Sequence, residues 1–163
     1  MKYFAYGSNM SILRLQERVP SAIKLGKVML KNHQLRFNMS CDDGSGKCDT
    51  FQTNNSEDIV IGCLFEIERS EKVVLDQAES LGEGYDEKTV LVQDDSGEVF
   101  EAVTYYAIKT DDSLKPYSWY LNHVIVGAKQ TKVPKAYLDV IKSVSCIEDS
   151  DKDRDEKQRA MYL

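Results

Sequence analysis

The chain has 163 residues and a mass of 18.5 kDa, which is the length of one domain with its own buried core. Its hydrophobic fraction of 42% and charged fraction of 29% are those of a soluble globular protein. The formal net charge of −6 argues against nucleic acid or an anionic membrane as the main partner. No apolar run is long enough to span a bilayer and residues 1–6 lack a signal-peptide pattern, so we expect a cytoplasmic protein.

The first part of the chain is predicted to be mainly strands. Residues 2–6 form a strand rich in aromatic side chains, and residues 11–18 form a short helix. Residues 22–40 are strand-like with basic interruptions. The stretches 41–48 and 54–58 are rich in Gly, Ser, Asn and Asp, which predicts a loop or hairpin tip at each.

The second part of the chain alternates between strands and helices before a charged end. The predicted elements are a strand at 59–67, a helix at 70–81, a hairpin of 89–93 and 98–108, and helices at 117–128 and 135–145. Residues 147–163 mix charges with acids in excess, which predicts a solvated helix or frayed end that buries little, with a partner-binding tail as the alternative. We therefore expect one domain, 1–146, followed by a tail, 147–163.

The cysteines and histidines lack the spacing of a metal site. The sequence has four cysteines with no CxxC pair, and its two histidines are isolated from each other. We therefore expect reduced thiols, no metal site and no cysteine nucleophile.

The first candidate site is a polar corner in the segment "YFAYGSNM", residues 3–10. Gly7 follows the first strand, permits positive φ and lets the backbone come close to a ligand. Ser8 and Asn9 add a hydroxyl and an amide, and the free N–H groups of a following helix would point into the same corner. The corner is therefore either a plain strand-to-helix turn or a site for an anion such as a carboxylate.

The second candidate site is the carboxylate-bearing segment "LDQAESLGEGY", residues 75–85. Leu75 and Glu79 are spaced i, i+4 and share one face of the predicted helix. Glu79 would lie near the helix C-terminus and partly on apolar surroundings, where the helix dipole and lost hydration both disfavour the carboxylate anion. Glu79 is thus a candidate general base and acid, with a solvated surface charge as the alternative.

Together these segments resemble the γ-glutamylcyclotransferase family. "YFAYGSNM" is similar to the family's Tyr-Gly-Ser-Asn signature after its first strand, and "LDQAES" to the element that carries its catalytic glutamate. Tyr85 matches a tyrosine after that element, and residues 120–134, "YLNHVIVGAKQTKVP", resemble its tyrosine-led helix ending in Gly-Ala. Two features depart from the family: Ser80 stands where Gly is usual, and the segment 80–85 is a residue shorter than in animal members.

The resemblance implies an α+β fold with a small mixed β-barrel flanked by helices, and an enzyme without metal or cofactor. Its members release 5-oxoproline and a free amine from a γ-glutamyl amide. By resemblance Glu79 is the catalytic residue, and the substrate-binding residues are Tyr6, Gly7, Ser8, Asn9, Met10, Tyr85 and Tyr120. The leaving group stays open between an amino acid, another amine and a protected metabolite, and so do a catalytically silent binding relative and a homodimer.

Overall fold

The computed structural model describes all of residues 1–163. The seven strands are β1 (Lys2–Ala5), β2 (Ile23–Lys31), β3 (His33–Ser40), β4 (Gly46–Gln52), β5 (Ile59–Glu66), β6 (Tyr85–Gln93) and β7 (Val99–Ala107). The five α-helices are α1 (Ile12–Gln16), α2 (Lys72–Ala78), α3 (Ser118–Thr131), α4 (Lys135–Lys142) and α5 (Lys152–Ala160). A single 3₁₀ turn, Ser8–Met10, separates β1 from α1.

Five strands form a closed barrel in the order β1-β5-β2-β6-β7. Most neighbours are antiparallel, and the barrel closes where β1 pairs in parallel with β7 at Tyr3 and Val103. The strand β5 is buried along almost its whole length, as its continuous apolar run predicts for a strand covered on both faces. The predicted α+β fold with a small mixed barrel and flanking helices is therefore confirmed.

The stretch 22–40 is two strands rather than one interrupted strand. Asn32 lies between β2 and β3 with φ 63°, a left-handed conformation that turns the chain and that Asn tolerates better than most residues. The strand β3 then pairs with β4 in a separate two-stranded sheet. The predicted loop 41–48 is accordingly too long, because β4 already begins at Gly46 and includes the buried Cys48.

The helix α3 is the longest helix and lies behind the 3₁₀ turn. A Cβ built at Gly127 would lie 2.5 Å from both Met10 Cβ and the backbone nitrogen of Ser11, so only glycine permits this close approach. No helix is long and apolar enough to cross a bilayer.

The tail 147–163 ends in the helix α5, which buries no residue, as its composition predicts, but one residue before the helix is buried. Asp149 is fully buried, accepts a 2.8 Å hydrogen bond from Trp119 Nε1, and pairs through both carboxylate oxygens with Arg154 at 2.5 and 2.7 Å. Composition did not indicate that Asp149 is buried. The opposite charges of Asp149 and Arg154 neutralise each other against α3, which lowers the free-energy cost of burying the carboxylate. The boundary between 1–146 and 147–163 itself stays a prediction.

Candidate functional site

A cleft of about 290 Å³, including its open mouth, lies at the end of β1. Its wall combines aromatic side chains with the polar corner and one carboxylate. The lining residues are Tyr3, Tyr6, Gly7, Ser8, Asn9, Cys48, Glu79, Tyr85, Tyr105 and Tyr120. The structure thus brings all but one of the predicted site residues, Met10, into one cleft.

The polar corner, Gly7–Asn9, is here named the cradle. Its carbonyls close the 3₁₀ turn, because Met10 N donates to Gly7 O at 3.1 Å and Ser11 N donates to Ser8 O at 3.2 Å. The backbone N–H groups of Gly7, Ser8 and Asn9 donate no hydrogen bond within the protein. Three unpaired donors at the start of one turn form a concave donor set suited to a carboxylate or an oxyanion.

Gly7 is needed for space, because a side chain at this position would clash with its surroundings. Its φ of −113° is negative, so the expectation of positive φ is wrong. A Cβ at Gly7 would lie 2.8 Å from Cys48 Cβ and 3.5 Å from Tyr120 Oη. The expected close approach is therefore real, but its partner is the strand β4 beneath the cradle.

Glu79 stands at the end of α2 because the chain turns sharply there. Ser80 N donates to Gln77 O at 3.1 Å and Leu81 N donates to Asp76 O at 3.0 Å, which together form a Schellman motif. Ser80 has φ 50°, the left-handed conformation that this position requires and that favours glycine. The motif ends the helix at Glu79 and aims its side chain at the cleft.

Replacing Ser80 with Gly is expected to raise the free energy of unfolding by about 1 kcal/mol, since a left-handed conformation costs an L-residue about 1–2 kcal/mol. Thermal or urea unfolding measures the change. Ser80→Ala is the matched control: it also loses the hydroxyl but keeps the conformational cost, so it should give no gain. Equal stabilisation by Ala and Gly would contradict this account of the turn.

The Glu79 carboxylate contacts the cradle directly. Its Oε1 accepts a 2.8 Å hydrogen bond from Asn9 Nδ2 and lies 3.3 Å from Arg18 Nη1. Arg18 Nη1 also donates to Asn9 Oδ1 at 3.1 Å, which completes a triangle of three side chains. Two side-chain donors thus converge on one carboxylate oxygen. Arg18 was missed because nothing in the sequence signals that the segment after α1 meets the end of α2.

Two predicted tyrosines hold the strand β4 against the cleft. Cys48 N donates to Tyr120 Oη at 3.0 Å, and Tyr85 Oη donates to Cys48 O at 2.5 Å. Burial raises the pKa of both phenols well above the ordinary value, so both are neutral at physiological pH. The Tyr120 hydroxyl accepts from the Cys48 N–H and lies at the wall of the cleft.

Two other predicted contacts differ from expectation. The Tyr6 ring lines the cleft, but its hydroxyl donates to Tyr105 O at 2.6 Å and so supports the barrel. Met10 is fully buried beneath Gly127 and does not line the cleft. The 3₁₀ turn directs the Met10 side chain into the core behind the cradle, so the structure does not bring Met10 together with the other predicted site residues.

Two lining tyrosines were missed. Asn9 Nδ2 donates to Tyr3 Oη at 3.1 Å, and Tyr105 Oη donates to Asp76 Oδ1 at 2.6 Å. The rings of Tyr3 and Tyr105 meet edge to face with centroids 5.9 Å apart. The sequence predicted a strand at 2–6 that includes Tyr3, yet nothing in it indicated which face borders the cleft.

All four cysteines are free, and no three His, Cys, Asp or Glu side chains converge as a metal site would require. Burial raises the pKa of the Cys48 thiol to about 12, so this thiol in the cleft stays protonated and is a poor nucleophile. Glu79 is thus the only carboxylate in the cleft wall.

Comparison with known proteins identifies relatives of the whole fold. The AIG2-like family matches residues 59–141. The curated mouse protein "Gamma-glutamylcyclotransferase" is 28% identical over 162 residues, covering 96% of this chain and 85% of its own length. A solved structure titled "Gamma-glutamyl cyclotransferase" has a TM-score of 0.84 at 25% identity and covers 96% of this chain and 98% of its own. An uncharacterized human protein superposes with a TM-score of 0.85 at 26% identity, covering 96% of this chain and 95% of its own.

Proposed function

Because the chain belongs to the AIG2-like family, among the γ-glutamylcyclotransferase proteins, we propose that it is itself a γ-glutamylcyclotransferase. It converts a γ-glutamyl amide into 5-oxoproline and a free amine or amino acid. The observation that carries this proposal is the 2.8 Å hydrogen bond between Asn9 Nδ2 and Glu79 Oε1. It joins the donor set of the cradle to the only carboxylate of the cleft.

The cradle binds the glutamyl part of the substrate. The unpaired N–H groups of Gly7, Ser8 and Asn9 donate to its α-carboxylate or to the γ-carbonyl oxygen. Tyr120 closes the opposite side of the pocket, while Tyr6 and Tyr85 supply apolar wall. Binding through neutral donors explains how a chain of net charge −6 can hold an anionic substrate.

The substrate supplies its own nucleophile. Its α-amine attacks the γ-carbonyl carbon and forms the new C–N bond of a five-membered lactam, after which the original amide C–N bond breaks. Intramolecular attack of this kind can reach effective molarities of about 10⁵ M or more, so the protein needs no nucleophilic side chain. Glu79 takes the proton from the attacking amine and returns it to the leaving amine.

Arg18 and Asn9 position Glu79 for this transfer. Both donate to the same oxygen, Oε1, which leaves Oε2 free to face the substrate amine. The Glu79 side chain is 15% exposed, so the carboxylate is partly shielded but open on the side of the cleft. Three neutral buried tyrosines nearby keep water away without competing for the proton.

The test is to incubate the protein with a panel of γ-glutamyl amino acids, γ-glutamyl-amines and the γ-glutamyl isopeptide of lysine, and to measure 5-oxoproline by mass. We expect 5-oxoproline and an equimolar amine from at least one compound. The panel also identifies the leaving group. Product from none of the compounds would contradict the proposal and favour a catalytically silent binding relative.

The proposal also covers cofactors, cellular location and oligomeric state. We propose that the reaction needs no metal or cofactor, since every proposed step uses Glu79, the cradle or the substrate itself. We also propose a cytoplasmic location, which the four free cysteines suit. A homodimer stays open as a proposal.

A further inference from the structure

The chain end returns to the back of the cradle. Tyr162 Oη donates a 2.8 Å hydrogen bond to Ser11 Oγ and lies 2.6 Å from His123 Nδ1. Ser11 is fully buried and directly follows the 3₁₀ turn, where its backbone nitrogen donates to Ser8 O. Two hydrogen bonds therefore connect Tyr162 to the peptide unit that carries the N–H of Asn9.

A second contact ties the same end of the chain to α1. Arg14 Nη1 donates to Gln158 Oε1 at 2.8 Å and lies 3.2 Å from His123 Nε2. Burial, followed by the charge of Arg14, lowers the pKa of His123 to about 3, so the imidazole is neutral at physiological pH. His123 Nε2 also lies 2.8 Å from Gln158 Oε1, so the imidazole, Arg14 and Gln158 form one buried contact network.

The segment is also fixed at its other end. Asp149 is buried under Trp119 and paired with Arg154, so residues 149–163 are held at both ends of α5. The helix itself buries no residue completely, and its sequence is highly charged. Polar contacts fix this segment at both ends, and it adds little apolar contact to the core between them. Such a segment is suited to positioning the residues that it contacts.

We propose that residues 149–163, here named the C-terminal segment, hold the cradle in its binding geometry, with Tyr162 as the positioning residue. Tyr162 does not touch the cleft and acts through Ser11. Its hydroxyl fixes the end of the 3₁₀ turn and so the direction of the N–H groups that bind the γ-glutamyl group. The effect on catalysis rests on the proposed function, whereas the effect on cradle geometry does not.

The test uses Tyr162→Phe in the full-length protein. Phenylalanine keeps the edge-to-face contact with His123, whose ring centroid lies 5.3 Å away, and removes only the hydroxyl. We expect KM for a γ-glutamyl substrate to rise about tenfold with a smaller change in kcat, since one buried hydrogen bond is lost behind a binding element. In the substrate-free protein, the amide NMR shifts of Ser8 and Asn9 should move, and hydrogen exchange of the Ser11 amide, which donates to Ser8 O, should speed up.

The matched control is Arg159→Gln in α5. It removes the hydrogen bonds of the Arg159 side chain to Ser118 and Asp155, and Arg159 has no contact with Ser11. It should lower thermal stability without changing KM or the cradle amides. Ser11→Ala should reproduce the effect of Tyr162→Phe, and the double variant should be no worse than either alone. Ser11→Ala also tests the proposal if the Tyr162→Phe protein does not fold.

Two results would overturn the proposal: unchanged cradle amides in Tyr162→Phe, or an equal effect of Arg159→Gln. If the wild-type protein turns over no γ-glutamyl compound, the proposed function fails, and the amide shifts alone decide the positioning role of Tyr162. The two failures are thus distinguishable.

Discussion

Replacing Glu79 with Gln is expected to lower turnover of a γ-glutamyl substrate by about 10²–10⁴, because it removes the only group proposed to move a proton. KM should change by less than about tenfold, since the cradle and Tyr120 bind the glutamyl part independently of the carboxylate. Steady-state measurement of 5-oxoproline formation gives both constants.

The fold should survive this change. The glutamine carbonyl can still accept the hydrogen bond from Asn9, and the Schellman turn around Ser80 depends only on the backbone. The lost pairing with Arg18 joins two partly exposed side chains, 15% and 25% exposed, so the cost in unfolding free energy should be about 1 kcal/mol.

Glu83→Gln is the matched control for the same substitution. Glu83 is exposed in the turn after α2, four residues from Glu79, and does not line the cleft. Its variant should keep wild-type turnover. Near-normal turnover by soluble Glu79→Gln protein would exclude Glu79 as the catalyst, and a large loss in Glu83→Gln would transfer that role to Glu83.

The parts of the site that sequence predicted are those encoded in short segments. Gly7, Ser8 and Asn9 are consecutive, so their meeting in one turn follows from local geometry alone. Glu79 ends a helix whose stop signal lies in the next few residues. The resemblance then joined the two segments, which lie 70 residues apart in the chain.

The parts that sequence missed come from long-range packing. Arg18, which follows α1, reaches Glu79 across 61 positions of the sequence, and Cys48 enters the cleft on a strand that was predicted as loop. In β4 the buried residues include Lys47 and Asp49, so no apolar alternation marked the strand. Lys47 is paired with Asp43, and Asp49 accepts from Ala107 N, but in a sequence such buried polar residues look like surface residues.

The tail illustrates the same limit from composition. Its charges predicted solvent exposure, yet Asp149 is buried because Arg154 and Trp119 satisfy it. The number of charged residues in a segment does not show which partners they find in the fold. Here one partner, Trp119, lies 30 residues earlier in the chain. Met10 is the opposite case. It belongs to the motif predicted to bind substrate, but its side chain is buried in the core.

Replacing Gly7 with Val is expected to lower kcat/KM for a γ-glutamyl substrate by about 10² or more, the scale of loss that a misplacement of about 1 Å causes at an active site. Even the first added carbon would lie 2.8 Å from Cys48 Cβ, so the cradle and β4 must separate. Because Tyr85 and Tyr120 both bond to the backbone of Cys48, that movement also displaces the opposite wall of the cleft. Overpacking should in addition reduce the unfolding free energy by about 1–3 kcal/mol.

Two comparisons separate the effect on the cleft from the loss of stability. Ser8→Ala removes a cradle hydroxyl that bonds to nothing in the protein, so it should cost much less activity than Gly7→Val. Gly7→Ala should lower kcat/KM by an intermediate amount. Adding Cys48→Gly to Gly7→Ala removes the Cβ of residue 48 that the new methyl group would meet, so part of kcat/KM should return. Adding Cys48→Ala keeps that Cβ and should restore none. Normal affinity of soluble Gly7→Val protein for the γ-glutamyl group would show that the cradle does not bind it, because the donors would then have moved without consequence.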